Sequence, residues 1–281
     1  IETIQTSGSD LVWNPELLDF GMGNNVWLFG RNGTASLSTW WYNFGTEAWT
    51  NKVTPASTTG VTPYGATHTA AYEYVVGSDK IVYQLTGSAA NAYTAATTAV
   101  AVGVTATQNR LFVLGEDTTN GVALYLFALD QSSLPVAISN TVTVSAAKDS
   151  ATTTLRPRMC AAPTGARYFV NYATGRSLIY ECDSSPTTPT NRLIGVLDEG
   201  VKATAICHTA GKTFIAGQFM AETGQTPVSG LWYIDESGYT RFDGYLRRDN
   251  PSAAVVQYMF PFQGDVHIFQ GPYIFRRSMR T

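Results

Sequence analysis

Short apolar runs, each too brief for a typical helix and rich in aromatic and β-branched residues, alternate with Gly-, Pro- and Asp/Asn-containing breaks along this chain. That pattern predicts strands joined by turns. Residues 201–245 spell one complete unit: VKATAICHT, a break at Ala210-Gly211, KTFIAGQF, a polar Gly/Pro loop, SGLWYID, a break at Glu236-Ser237-Gly238, and YTRFDGY. Four strands in sequence are expected there.

The unit recurs in degraded form. Its third run reappears as TWWYN at 39–43, KIVYQL at 80–85, ALYLFALD at 123–130, SLIYECD at 177–183 and PYIFRR at 272–277. Aligned on the aromatic, these place Tyr42, Tyr83, Tyr125, Tyr180, Tyr233 and Phe275 in register, with spacings of 41, 42, 55, 53 and 42 residues. The run before each marker repeats as well, as NVWLFGR, AYEYVVG, RLFVLGE, ARYFVNY, KTFIAGQ and DVHIFQG. A period of forty to fifty residues with four strands per unit is the signature of β-propeller blades. Runs such as TFIA, LYLFAL and LWYI are apolar at successive positions, as expected of strands packed on both faces. Small residues in the first run of several units (Ala161, Ala162, Ala203, Ala205, Ala253, Ala254) suit innermost strands that converge on an axis.

The expected fold is therefore all-β: a six-bladed propeller of four-stranded antiparallel blades. It forms one domain over 1–281, with units near 8–55, 56–100, 101–155, 156–200, 201–250 and 251–281 plus 1–7. The last unit shows only three runs, so residues 1–7 (IETIQTS) are expected to supply its outermost strand and close the ring, since an open edge invites misassociation. Asn32-Gly33 marks a tight hairpin turn within Arg31-Asn32-Gly33-Thr34. Residues 131–155 are the longest irregular insertion, part of which is expected to form the third unit's outer strand.

Composition narrows the partners. Only 14% of the 281 residues are charged, and the formal net charge is −3, so no basic surface points to nucleic acid as a main partner. No apolar run is long enough for a membrane span. Ile1 is followed by no charged segment with an apolar core, and the chain reads as a processed or excised piece. Cys160, Cys182 and Cys207, an odd number in separate strands, read as free structural thiols.

Candidate chemistry is sparse. His68, His208 and His267 fall in different units with no metal-ligand spacing, and no nucleophile or phosphate motif stands at a strand-to-helix turn. No catalytic, metal or cofactor residue is assigned, and no cofactor is expected. Carboxylates near blade ends (Glu16, Asp19, Asp79, Glu116, Asp117, Asp198, Glu199, Asp235, Glu236, Asp265) could in principle supply the pair a glycoside hydrolase needs, but most fall at turns, where solvation and turn geometry explain them. Asp235 to Phe242 resembles a sialidase box with one residue too many between Asp and Gly. It occurs once. Trp40, Trp41, Tyr42 and Trp49 form the densest aromatic cluster and read as core between blades. The final stretch carries Arg241, Arg247, Arg248, Arg276, Arg277 and Arg280, interleaved with Asp243, Asp249 and Asp265, and reads as a set of ion pairs.

Abundant Ala, Thr, Gly, Ser and Asn, few charges and much aromatic side chain together resemble the structural proteins of bacteriophage particles, whose tail nozzles or hubs contain propeller domains. The resemblance implies a virion protein of the tail, not an enzyme. It would be a rigid platform for assembly or host contact, in a multi-copy symmetric assembly with other virion proteins and with host-surface glycan as a further partner. The alternative is a glycan-binding propeller. The chain resembles six-bladed lectins in unit count, but no Arg/Glu/Trp set recurs at a fixed offset in every unit. A glycoside hydrolase is the second alternative.

Overall fold

A computed structural model describes residues 18–20, 25–32, 36–43, 45–51, 63–69, 72–78, 81–85, 90–94, 100–107, 110–117, 121–128, 137–144, 158–172, 175–185, 190–219, 227–246, 255–270 and 273–279. They form strands and turns. The chain divides into two compact units, residues 1–104 and 105–281.

In the first unit, β1 (Leu18–Phe20), β2 (Asn25–Asn32), β3 (Ser36–Asn43) and β4 (Ala48–Asn51) make one sheet in chain order. A second sheet is built from β5 (Pro63–His68), β6 (Glu73–Gly77), β7 (Ile81–Leu85) and β8 (Ala90–Thr94). Trp27 and Phe29 pack against Val75, Tyr83 and Leu85 to form the core of this unit. The pairing of β2 with β3 runs to Asn32↔Ser36, so Asn32 belongs to the strand and not to a turn centred on Asn32-Gly33.

The division between the units falls inside β9 (Val100–Ala106), which heads a third sheet with β10 (Arg110–Asp117), β11 (Gly121–Ala128) and β12 (Ala137–Val144). The fourth comprises β13 (Met159–Ala162), β14 (Gly165–Asn171), β15 (Ser177–Asp183) and β16 (Asn191–Val196). The unit read at 201–245 is the fifth: β17 (Val201–Thr209), β18 (Lys212–Phe219), β19 (Val228–Ile234) and β20 (Thr240–Tyr245). A sixth sheet holds β21 (Val256–Phe262), β22 (Asp265–Gln270) and β23 (Tyr273–Arg277), three strands among the described residues. Every pairing is antiparallel between chain neighbours. The expected closing strand at residues 1–7 lies outside the described residues.

Tight turns make these hairpins. Between β17 and β18, Ala210 (φ 48°) and Gly211 (φ 73°) both adopt the left-handed conformation that a two-residue hairpin loop with right-handed strand twist requires. Gln263 and Gly264 repeat it between β21 and β22.

In the second unit, strand alternation puts an apolar layer on each side of the fifth sheet. Ile206, Ile215, Trp232 and Ile234 face the fourth sheet and pack with its Phe169 and Ile179. Ala205, Cys207, Phe214, Ala216 and Leu231 face the sixth and pack with Val256, Met259, Val266 and Ile268. The aromatic markers therefore do not share one register. Tyr180 alternates with Ile179 and so points away from the fifth sheet, whereas Tyr233 packs toward the sixth. With a side-chain period of two, an alignment offset of one residue exchanges the faces, and a match between aromatics does not detect that offset. Ala203 is buried in the layer toward the fourth sheet and Ala205 in the layer toward the sixth.

Candidate functional site

At one rim of the fourth and fifth sheets the apolar layer stops and a cleft of about 450 Å³ opens. It is bounded by the β13–β14 turn (Pro163, Thr164), by Arg167 on β14, by Arg192, Leu193 and Ile194 on β16, by His208 and Gly211 at the β17–β18 hairpin, and by Ile234 to Gly238 leading into β20. The volume is within the range of small-ligand sites.

Antiparallel register builds its polar wall. Arg167 on β14 lies opposite Glu181 on β15, and Glu181 opposite Arg192 on β16, so three strands set an Arg-Glu-Arg row side by side. The Glu181 side chain is only 3% exposed, and both its oxygens are engaged. Oε2 accepts from Arg167 Nε at 2.7 Å and stands 2.7 Å from Arg167 Nη2 in an ion pair. Oε1 accepts from Arg192 Nη2 at 2.6 Å and Nε at 3.1 Å. Burial works to raise the Glu181 carboxyl, but the bonds from Arg192 and Arg167 outweigh it and hold the group below the usual carboxylate value.

The two guanidiniums differ in what they have left to offer. Arg167 is largely spent: beyond Glu181, its Nη1 donates to Thr213 Oγ1 and reaches His208 Nδ1 at 3.4 Å. Arg192 is docked along one edge only, 66% exposed, and its Nη1 donates to none of the described residues. A guanidinium held in this way presents its remaining N–H groups in a fixed orientation.

Thr213 Oγ1 is also 2.9 Å from His208 Nδ1. Since a guanidinium only donates, the network assigns Nδ1 as an acceptor and puts the proton of the neutral ring on Nε2. Burial first, and the Arg167 charge second, push His208 below the usual histidine value, with Glu181 pulling the other way.

On the opposite wall, Glu236 lies over Gly211: a Cβ at Gly211 would sit 2.8 Å from Glu236 Oε1, and the φ of +73° there already favours glycine. Asp235 is committed to its own turn, accepting from the Ser237 amide at 3.0 Å and pairing with Arg241 at 3.1 Å. The stretch that resembles a sialidase box is thus the turn forming one lip of the cleft. Leu193, Ile234 and Pro163 supply apolar wall between the polar groups.

Of the other carboxylates singled out in the sequence, none among the described residues lines this cleft. Asp198 accepts from Trp232 Nε1 at 3.1 Å, and Glu199 is exposed beside it. Asp265 is buried, accepting from Arg276 Nε at 2.6 Å and from the Met279 amide at 2.9 Å. Asp19 lies in β1, and Glu116 and Asp117 end β10. Glu16 and Asp79 are outside the described residues. Among the arginines of the final stretch, Arg241, Arg276 and Arg277 pair with Asp235, Asp265 and Asp243; Arg247, Arg248 and Arg280 lie outside the described residues. His68 ends β5, and His267 packs against the rings of Phe260 and Phe262. The three cysteines are free thiols. Trp40, Trp41, Tyr42 and Trp49 fall in β3 and β4.

Arg167, Glu181 and Arg192 escaped the sequence reading, although one signal for the first two was there. Both lie seven residues from position 174, the centre of the β14–β15 hairpin, which forces them opposite each other.

No family model matches the chain, and no curated protein matches it. Among solved structures it is similar to AofleA from Arthrobotrys oligospora, with a TM-score of 0.54 and 13% identity over 95% of this chain and 85% of that one. It is also similar to the lectin SapL1, solved in complex with α methyl fucoside, with a TM-score of 0.52 and 13% identity over 92% of each chain. At that identity the likeness concerns the fold. It corrects the expectation of a phage tail platform: these two similar structures are not of phage particle proteins, and SapL1 is a lectin. The composition that suggested a virion has a simpler cause. Strands packed on both faces leave little room for charge in any protein built of stacked sheets.

Proposed function

We propose that this chain is a glycan-binding protein that holds a neutral sugar unit in the cleft between the fourth and fifth sheets. The observation that carries this reading is the Arg-Glu-Arg row, which fixes Arg192 as a rigid donor on one wall while the Glu236 carboxylate stands as an acceptor on another. Sugar hydroxyls both donate and accept, so they are matched by walls of opposite hydrogen-bonding sense. Leu193, 52% exposed, can cover the C–H face of a pyranose ring.

The charge balance favours a neutral ligand. Glu181 cancels one guanidinium, Asp235 is paired with Arg241, and Glu236 offsets the other guanidinium. Binding is favoured over hydrolysis because Glu181 is saturated by two arginines and Asp235 by its turn. That leaves Glu236 without a second free carboxylate across the cleft among the described residues. The printed ligand of SapL1 makes methyl α-fucoside the first probe. For the scaffold we propose a six-bladed ring closed by residues 1–7. Six successive sheets of chain-neighbour hairpins and the three strands of the sixth support it.

Calorimetric titration with methyl α-fucoside and a panel of neutral methyl pyranosides tests the function. At least one should bind, and Arg192→Ala should weaken it about tenfold or more, as expected for losing hydrogen bonds to a charged group. Absence of saturable binding by every pyranoside would overturn the reading.

A further inference from the structure

We infer that His208 is a positioning residue for the cleft, and that its Nδ1 makes glycan binding sensitive to acid by holding Arg167 in place only while it can accept a hydrogen bond. The inference rests on the glycan reading for its ligand and on the His208 network for its mechanism.

His208 sits where two sheets meet. From its own sheet Thr213 Oγ1 approaches Nδ1 at 2.9 Å, and from the fourth sheet Arg167 Nη1 approaches the same nitrogen at 3.4 Å while also donating to Thr213. The charged groups around the ring are Arg167 from β14, Glu181 behind it on β15, Arg192 from β16, and Asp235 and Glu236 from the turn before β20. The nearest of these is a cation. With the ring neutral the arrangement is consistent: the Thr213 hydroxyl donates to Nδ1 and accepts from Arg167, and Nε2 carries the ring proton.

Protonation of Nδ1 inverts that order. The new N–H faces the Arg167 guanidinium, donor against donor and charge against charge, and Thr213 Oγ1 cannot serve both as sole acceptor without giving up its own donor direction. Arg167 must move. It donates to and pairs with Glu181, and Glu181 in turn orients Arg192. One proton on a half-buried ring thus loosens the whole donor wall. Burial and Arg167 hold the ring below the ordinary histidine value of 6.5, so the change belongs to acid conditions below that value and not to neutrality.

Two measurements on the full chain test this. Imidazole ¹⁵N spectra between pH 8 and 4.5 should show His208 as the Nε2–H tautomer at pH 7.5, titrating below 6.5. Affinity for methyl α-fucoside should stay level between about pH 7 and 8, then fall by up to about tenfold per pH unit below the His208 midpoint, the limit for one linked proton. In His208→Asn, whose amide oxygen can still accept but does not titrate, the ratio of affinities at pH 7.5 and 5 should drop to about one. Thr213→Val removes the donor to Nδ1 and should move the acid midpoint upward. An Nδ1–H tautomer, a pH-independent affinity, or the same acid loss in His208→Asn as in the wild type would each overturn the proposal. If methyl α-fucoside does not bind at pH 7.5, the ligand half falls with the glycan reading. The tautomer and the Thr213→Val midpoint shift, followed by NMR, still decide the positioning role.

Discussion

The two sides of the fifth sheet are built by the same alternation and end differently. Toward the sixth sheet, Phe214, Leu231 and Tyr233 meet Val266, Ile268 and Phe275, and the layer is apolar nearly to its edge, with Lys212 over the Tyr233 ring and the exposed Arg277–Asp243 pair at its margin. Toward the fourth sheet, Trp232, Ile215 and Ile206 pack as tightly on Phe169 and Ile179, but one cross-strand row further along the facing residues are Arg167, Glu181 and Arg192 against Thr213 and His208. Long charged side chains that must keep their hydrogen bonds cannot interdigitate as apolar ones do. The gap stays open. A binding site on this scaffold therefore needs one row of substitutions, placed where the rest of the layer already holds the sheets together.

If this contrast is right, damage to the two sides should separate stability from binding. Phe214→Ala, in the sealed layer, should cost about 3–5 kcal/mol in urea unfolding, the usual range for a buried Phe, while the folded fraction binds sugar as before. Parallel loss of sugar affinity would break the comparison. Glu181→Gln, on the open side, should cost about 2–3 kcal/mol, because one carboxylate oxygen becomes an amide NH2 that cannot accept from its arginine while the other oxygen still can. It should nevertheless abolish binding, which titration with methyl α-fucoside would read.

The pH dependence follows the same division. The Glu181 carboxyl is held below 4.5, so its contribution is complete above that value and is lost as pH falls through its lower folded value. His208 is also depressed, so its share is present above 6.5 and fades as pH drops toward its folded value. Stability measured against pH should therefore decline in two stages, and Glu181→Gln should shrink the lower one, to which Asp183, also held below its usual value, contributes as well. The smallest effect belongs to the margin of the sealed side. Arg277→Ala removes an ion pair whose arginine is 48% exposed and should change stability by less than about 1 kcal/mol. A larger loss would mean that charge, not packing, joins the fifth and sixth sheets.

Much of this architecture is legible in the runs of residues. VKATAICHT, KTFIAGQF, SGLWYID and YTRFDGY become four consecutive strands, and Gly211 and Gly238 supply the positive φ that the turns after the first and third require. The cleft was harder to see. His208 stands 41 residues from Arg167, and Arg192 stands 11 from Glu181 across a bulged pairing, so no local motif joins them. Composition misled in the other direction, since scarcity of charge followed from sheet packing and said nothing of a particle.

Local patterning by itself determined that these residues are strands, where they turn, and that successive hairpins form sheets, because those outcomes depend on side-chain shape and backbone preference within a few positions. Tertiary structure alone decided which face of each strand meets which neighbour. Tyr180 and Tyr233 match in sequence and point to different layers, and Arg167, unremarkable in its own run, becomes the link between Glu181 and His208. Facing is set by register, which a single residue reverses, and by which sheet lies alongside.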